Sequence, residues 1–208
     1  MDEHDHDHDH DHLPDDAPKV HSYYRLLGRA IQELLIEKGV ITADEIRRMI
    51  ELRDSITPAS GGKIVARAWS DPAYKQRLLT DGSEAIREFG LDMGVTRLAV
   101  VENTKGLHNV IVCTLCSCYP RNVLGLPPSW YKSREYRARA VREPRAVLEE
   151  FGTHLPDHVE VRVHDSTADM RYLVLPMRPE GTEHMSEDAL AELVTRDCMI
   201  GVAVPQVR

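Results

Sequence analysis

Val110-Ile111-Val112, followed at once by Cys113-Thr114-Leu115-Cys116-Ser117-Cys118, is the stretch around which this chain is organised. The first three residues are β-branched and apolar, which reads as a strand. The next six place three thiols in one tight turn, so a rigid strand delivers a cluster of sulfurs. The only other cysteine, Cys198, lies far along the chain. Three thiolates this close can converge on one ion. The Cys-Ser-Cys step also brings two consecutive backbone nitrogens, those of Ser117 and Cys118. If those amides lose their protons, the turn offers three sulfur and two nitrogen ligands. An octahedral ion then keeps one position open, as a catalytic metal requires. Such a soft, strongly donating set suits a later transition metal and not Mg or Ca.

Other readings of the cysteines fit less well. A thioredoxin-like Cys-x-x-Cys should open a helix, whereas a third Cys and Pro120 follow here within four residues. A structural zinc site needs four ligands, and no second Cys/His pair stands at zinc-finger spacing. An iron–sulfur cluster wants four thiolates, with Cys198 the one spare. Buried thiols packing as small hydrophobes are usually scattered and not three in six residues.

Upstream of the strand the pattern is helical. Leu26, Leu27, Ala30, Ile31, Leu34 and Leu35 share one face of a helix over 22–38, which Gly39 stops. Thr42 with Glu45 forms a capping box that opens a second helix through about Arg53. These two amphipathic helices need something to cover their apolar stripes, so a partner chain is expected. Further helices are expected around Lys63 to Trp69, after the Asp71-Pro72 cap and over 83–89. Strands follow over Leu98–Val101 and Val110–Val112. Pro120, Gly125, Pro127 and Pro128 exclude a long helix beyond the cysteines. A helix over Pro144–Glu150 comes next, then strands over Val159–Val163 and Arg171–Leu175, with Asp165 to Ala168 between them. Ser186 caps a last helix running to about Arg196. The expected class is α+β: an N-terminal helical arm, then a strand-centred layered α/β domain carrying the Cys-rich loop. The expected divisions are a disordered Asp/His-rich tail over 1–19, the arm over 20–56 and the metal-binding domain over 57–208.

Composition narrows the function. The chain has 208 residues, 42 % of them hydrophobic, enough for a proper core in one large or two small domains. No apolar run has membrane-spanning length, and no signal peptide is expected. Eight of the 34 acids lie in residues 1–16, which hold no Lys or Arg, so the rest balances at 26 charges of each sign. Neither a nucleic-acid footprint nor a polybasic membrane face is present. With three cysteines in one turn there is no disulfide framework, a usage that points to the cytoplasm. The Asp/His alternation from His4 to His12 is a solvated low-complexity arm. Its five imidazoles beside carboxylates also suit metal gathering.

The stretch Val112 to Pro120, Val-Cys-Thr-Leu-Cys-Ser-Cys-Tyr-Pro, resembles the metal-binding segment of the nitrile hydratase α subunit. Flanking segments agree: Val101-Glu102-Asn103-Thr104, Leu124 through Lys132, Met170-Arg171-Tyr172, Arg178 through Thr182, and Leu193 through Asp197. The likeness spans residues 25 to 205 or so, nearly all of the chain beyond the tail. It implies a catalytic domain with Cys113, Cys116, Ser117 and Cys118 as metal ligands. Thr114 and Tyr119 go with the cobalt members of the family and so imply low-spin Co(III), one per chain, over Fe(III). By position, Cys116 would be a sulfinic acid, Cys118 a sulfenic acid and Cys113 an unmodified axial thiolate, rungs of the ordinary oxidation ladder. Their negative oxygens need donors, which in this family come from arginines of a β subunit.

The implied reaction is hydration of a small nitrile to its amide in the cytoplasm. A trivalent ion polarises the nitrile or lowers the pKa of a water, and an oxygen of Cys118 or of that water attacks the nitrile carbon. Cys116, Ser117 and Cys118 are the expected catalytic residues. Ser117 has two readings, a hydrogen-bond partner of the water or a small residue that fits the turn. A metallation chaperone is a further possible partner. The chain departs from the family at Tyr119-Pro120-Arg121, where Trp is usual after Pro, and in lacking a Gln-Gly-Glu-like stretch before Val101. Thiocyanate hydrolase, a sister family with the same loop, is similar in its Tyr-Pro-Arg and its Asp/His-rich start. A cationic Arg121 would suit thiocyanate, although a surface or interface arginine is the plainer reading. The flanks favour nitrile hydratase. A third reading is a cobalt-carrying component without turnover.

Overall fold

The computed structural model describes residues 23–116 and 118–207. The expected tail over 1–19 and Ser117 lie outside the described residues. The chain divides into two compact units, Met1–Met49 and Ile50–Arg208.

The first unit carries α1 (Tyr23–Glu37) and most of α2 (Ala43–Ser55). Gly39 ends α1 at φ 67°, a left-handed conformation open to glycine. The capping box before α2 forms as expected. The Glu45 amide donates to Thr42 Oγ1 at 3.1 Å, and the Thr42 amide donates to Glu45 Oε2 at 2.7 Å. Leu35, Ile36, Ile41 and Ile46 are half-buried, whereas Leu26, Leu27, Ile31 and Leu34 are exposed.

The second unit follows with α3 (Pro58–Ser70), α4 (Pro72–Thr80), α5 (Gly82–Ala85), β1 (Arg97–Glu102), β2 (Leu107–Val112), α6 (Arg121–Leu124), α7 (Arg134–Arg142), α8 (Pro144–Glu150), β3 (Glu160–Asp165), β4 (Met170–Leu175), α9 (Glu187–Glu192) and α10 (Arg196–Ile200). A 3-10 turn, Ile86–Phe89, extends α5, and another, Trp130–Lys132, precedes α7. The class is α+β, as expected. Local chemistry explains most boundaries. Asp71 Oδ1 accepts from the amides of Ala73 and Tyr74, and Pro72 supplies the first helical φ of α4.

The strands form two parallel pairs, β1 with β4 and β2 with β3. Parallel strands are covered on both faces, and Val110, Ile111 and Val112 are all at most 1 % exposed. That explains why this run is continuously apolar. In the second pair Val112 stands opposite Asp165, so β3 ends level with the start of the cysteine loop. Helix α3, in which Ile64, Val65, Ala66 and Ala68 are buried, packs against α9 and α10, and α7 packs on β2.

Three expectations need correction. Asp165 belongs to β3 and not to the inter-strand turn, because parallel pairing with β2 extends the strand by two residues. The helix from Ser186 ends at Glu192, and α10 starts anew, since Thr195 Oγ1 accepts the amide of Cys198 as a fresh cap. Helix α7 was not expected. Its inward face is only Tyr136 and Ala140, and four of its nine residues are arginines, so no apolar stripe announces it.

Behind the strands lies a buried polar network. His108 Nε2 lies 2.7 Å from the carbonyl oxygen of Gly201, and its Nδ1 lies 3.2 Å from Asn103 Nδ2. Asn109 donates its amide to Asn103 Oδ1 at 2.7 Å, and His164 Nε2 stands 2.8 Å from Asn109 Oδ1. Gly201 has φ 92°, and a Cβ there would sit 2.0 Å from the Asn109 carbonyl oxygen. Gly201→Ala therefore strains the backbone and breaks the network together. We expect it to cost about 3 kcal/mol or more and to lower Tm by roughly 6–12 °C, read by thermal unfolding.

Candidate metal centre

Cys113 is the first residue after β2 and is 0 % exposed, so its sulfur is fixed to the core. Cys118 is half-buried and Cys116 is exposed. The loop thus has an inner side on the strand and an outer side open to solvent, with Leu115 89 % exposed at its tip. The three sulfurs all lie within 4.8 Å of one another. Cys113 Sγ and Cys116 Sγ are 3.2 Å apart, and Cys116 Sγ and Cys118 Sγ are 3.1 Å apart.

These spacings discriminate between geometries. A disulfide would bring two sulfurs to about 2.05 Å. With metal–sulfur bonds of about 2.3 Å, sulfurs at right angles around one ion stand about 3.3 Å apart, and sulfurs at the tetrahedral angle about 3.8 Å. The observed pairs match adjacent corners of an octahedron and not a tetrahedral zinc site. The residues therefore fit a six-coordinate, thiolate-binding transition metal. The backbone nitrogen of Cys118 belongs to the same turn. That of Ser117, the other expected nitrogen ligand, lies outside the described residues, as does its hydroxyl.

Side chains from three elements hold the loop. From the end of β3, Asp165 accepts the Thr114 amide at Oδ1 (2.9 Å) and the Thr114 hydroxyl at Oδ2 (2.5 Å). From α7, Arg137 Nη1 donates to the carbonyl oxygens of Cys116 (2.9 Å) and Thr114 (3.4 Å). From the 3-10 turn, the Tyr131 hydroxyl donates to the Cys118 carbonyl at 2.9 Å. Within the loop, the Cys116 amide donates to Cys113 Sγ at 3.3 Å. Below these lies an aromatic floor, in which the Tyr119 and Tyr131 rings meet edge to face at 5.1 Å and Trp130 meets Tyr136 at 4.9 Å.

The charges agree with a cation site. Burial, then the neighbouring Cys116 and Cys113 sulfurs, push the Cys118 thiol up to about 12, and the Arg171 guanidinium pulls it back. Three ionised sulfurs this close repel one another, and a bound cation reverses that repulsion. Burial likewise raises Tyr119 and Tyr131, which keeps both hydroxyls protonated; that of Tyr131 donates to the loop, whereas that of Tyr119 is buried without a partner among the described residues.

Sequence reasoning placed the three cysteines correctly in one cluster. Arg121 is exposed at the start of α6 and lines a cavity of about 290 Å³ with Arg53, Asp54 and Arg196. Asp165, Arg137 and Tyr136 were missed as supports. Tyr131 stood within a flanking motif, but nothing in the sequence says that its hydroxyl meets Cys118.

The family model described as nitrile hydratase, alpha chain, matches residues 22–203. The low-molecular-weight cobalt-containing nitrile hydratase subunit alpha of Rhodococcus rhodochrous is 55 % identical over 179 residues, covering 85 % of this chain and 86 % of the relative. The thiocyanate hydrolase subunit gamma of Thiobacillus thioparus is 46 % identical over 204 residues, covering 91 % and 84 %. Among solved structures, a recombinant thiocyanate hydrolase with partially modified cobalt centres superposes with a TM-score of 0.79 at 45 % identity, over 89 % of this chain and 91 % of that one. A double mutant of the Fe-type nitrile hydratase from Comamonas testosteroni Ni1 gives 0.76 at 43 % identity, over 88 % and 90 %.

Proposed function

The chain belongs to the nitrile hydratase α-chain family, and from that premise we propose that it is the metal-carrying subunit of a cobalt nitrile hydratase, which converts a small nitrile to its amide. The observation that carries this reading is the sulfur spacing of 3.1 and 3.2 Å on a loop rooted in the core and open on its outer side. Cys113, Cys116 and Cys118 hold the ion through sulfur, and the amide nitrogens of Ser117 and Cys118 complete the set. When bound, the trivalent ion supplies Lewis acidity that polarises the nitrile or activates water.

The residues of this chain then do the positioning. Cys113 anchors the site from the strand. Cys116 as a sulfinic acid and Cys118 as a sulfenic acid place negative oxygens at the rim, next to the substrate carbon. Those oxygens need cationic donors, which arginines of a β-type subunit supply. Exposed Leu26, Leu27, Ile31 and Leu34 on α1 make residues 20–56 an arm that contacts that subunit. Relatives of both cobalt and iron type exist, and the Thr114 and Tyr119 pattern favours cobalt. Among the described residues no helix is long and apolar enough to cross a membrane. We place the working enzyme in the cytoplasm on its cysteine usage.

A second reading has its own support. Arg53, Arg121 and Arg196 line one cavity against a single acid, Asp54. Such a cationic wall, with Arg121 three positions past Cys118 in sequence, would suit an anionic substrate such as thiocyanate. One assay separates the two on the chain assembled with its partner. Amide release from acrylonitrile is measured beside carbonyl sulfide and ammonia release from thiocyanate. The expected result is nitrile hydration changed less than about threefold by Arg121→Trp or by moderate salt, because a neutral nitrile gains little from a nearby cation. Turnover of thiocyanate alone, abolished by Arg121→Trp, would establish the second reading. Metal content without turnover of either substrate would establish a carrier.

A further inference from the structure

We propose that Arg137 is a positioning residue for metal uptake: it holds the loop in its ion-accepting shape from outside the ligand set. The inference rests on the reading of the three sulfurs as a metal site.

The geometry begins with the two carbonyls it touches. Thr114 and Cys116 flank Leu115, the exposed tip of the loop. A single guanidinium nitrogen donating to both oxygens draws the two residues together around that tip. With the turn closed in this way, the sulfurs of Cys113 and Cys116 stand 3.2 Å apart. A closed turn of three residues, exposed on its outer side, has backbone entropy to lose on ordering. An arginine already in place removes part of that cost before the ion arrives.

Arg137 is itself preorganised. Its Nε donates back to the carbonyl of Ser133 at 3.3 Å, which leaves the other face of the fork to the loop. Ser133 also caps the helix, accepting the Tyr136 amide at 3.1 Å. The neighbouring Tyr136 is 5 % exposed, and its hydroxyl donates to the Ile111 carbonyl of β2 at 2.7 Å. Strand and arginine are thus fixed to the same helix, and the loop spans a rigid gap between them. Arg134 and Arg142 line the same open cavity beside Thr114, but among the described residues they do not bond the loop. That difference supplies an internal control for charge alone.

The test uses the full chain produced with its partner over a range of cobalt concentrations. Bound cobalt is read by elemental analysis and by sulfur-to-metal absorption, with thermal unfolding measured in parallel. For Arg137→Gln the cobalt concentration giving half-loading should rise about tenfold to a hundredfold, the usual effect of removing a group that orients ligands. Arg137→Lys should fall between, since ammonium keeps the charge but not the fork. Arg134→Gln and Arg142→Gln should load as wild type. Equal loading by Arg137→Gln and wild type overturns the inference, as does an equal shift in all three glutamine variants. Should Arg137→Gln fail to fold, wild-type loading by Arg137→Lys overturns it in the same way. A wild-type chain that takes up no cobalt sinks the metal-site reading itself, and this inference with it.

Discussion

Cys113→Ser is expected to leave the assembled enzyme without cobalt and without amide formation. The sulfur of Cys113 is the one ligand of the three that is wholly buried, and it leaves β2 directly. A hydroxyl there is smaller, harder and protonated at neutral pH, so it does not replace a thiolate toward a later transition metal. The loss should exceed about a hundredfold in metal affinity, because changing even the groups that orient a ligand costs about ten- to a hundredfold. Stability should change little by comparison, since Ser nearly matches Cys in shape. Elemental analysis and thermal unfolding of the same preparation separate the two effects. Cobalt at full occupancy in the variant, or zinc in the wild type, would remove the site as described.

The second large effect concerns assembly. Leu27→Asp, Ile31→Asp and Leu34→Asp introduced together should abolish association with the β-type subunit, while the unit Ile50–Arg208 still unfolds at its usual temperature. All three side chains are exposed on one face of α1, at 41 %, 49 % and 48 %. Burying each is worth about 1.5–3 kcal/mol, so replacing three by charges should weaken the complex at least about a thousandfold. Sedimentation of the mixed subunits reads the outcome, with circular dichroism to check that α1 remains helical. An unchanged complex would mean that the arm does not carry the interface. Activity should fall with association, because the oxidised cysteines depend on donors that this chain lacks in the proposed mechanism.

In the proposed mechanism, oxidation of Cys116 and Cys118 would give the site its chemical polarity. The fold supports such a division of labour: one sulfur is sealed in the core and another faces solvent, where oxidant, partner and substrate can reach it. Arg137 and Arg171 show that cationic groups of this chain also act on the loop, Arg137 on its backbone carbonyls and Arg171 through its charge on Cys118. In the proposed mechanism, donors for the rim oxygens come from the partner on the outer side, where Cys116 and Leu115 are exposed.

Whatever was encoded within a few residues was determined by the sequence alone. The caps at Thr42, Asp71 and Ser186 and the apolar face of α1 each depend on contacts within one or two helical turns. So does the cysteine cluster, whose three thiols are neighbours in the chain before they are neighbours in space. Tertiary structure decided what required distant partners. Asp165 reaches Thr114 across 51 positions, and only the parallel register of β2 with β3 puts it there. Arg137 and Tyr131 reach the loop from segments with no apolar periodicity to mark them, because a side chain that bonds a backbone carbonyl leaves no pattern in its own neighbours. The break between α9 and α10 is likewise a competition, in which the Thr195 cap prevails over continued helix. The identity of the ligands is thus a local property of the sequence, whereas the supports that bring them to octahedral spacing come from strand pairing and helix packing over long range.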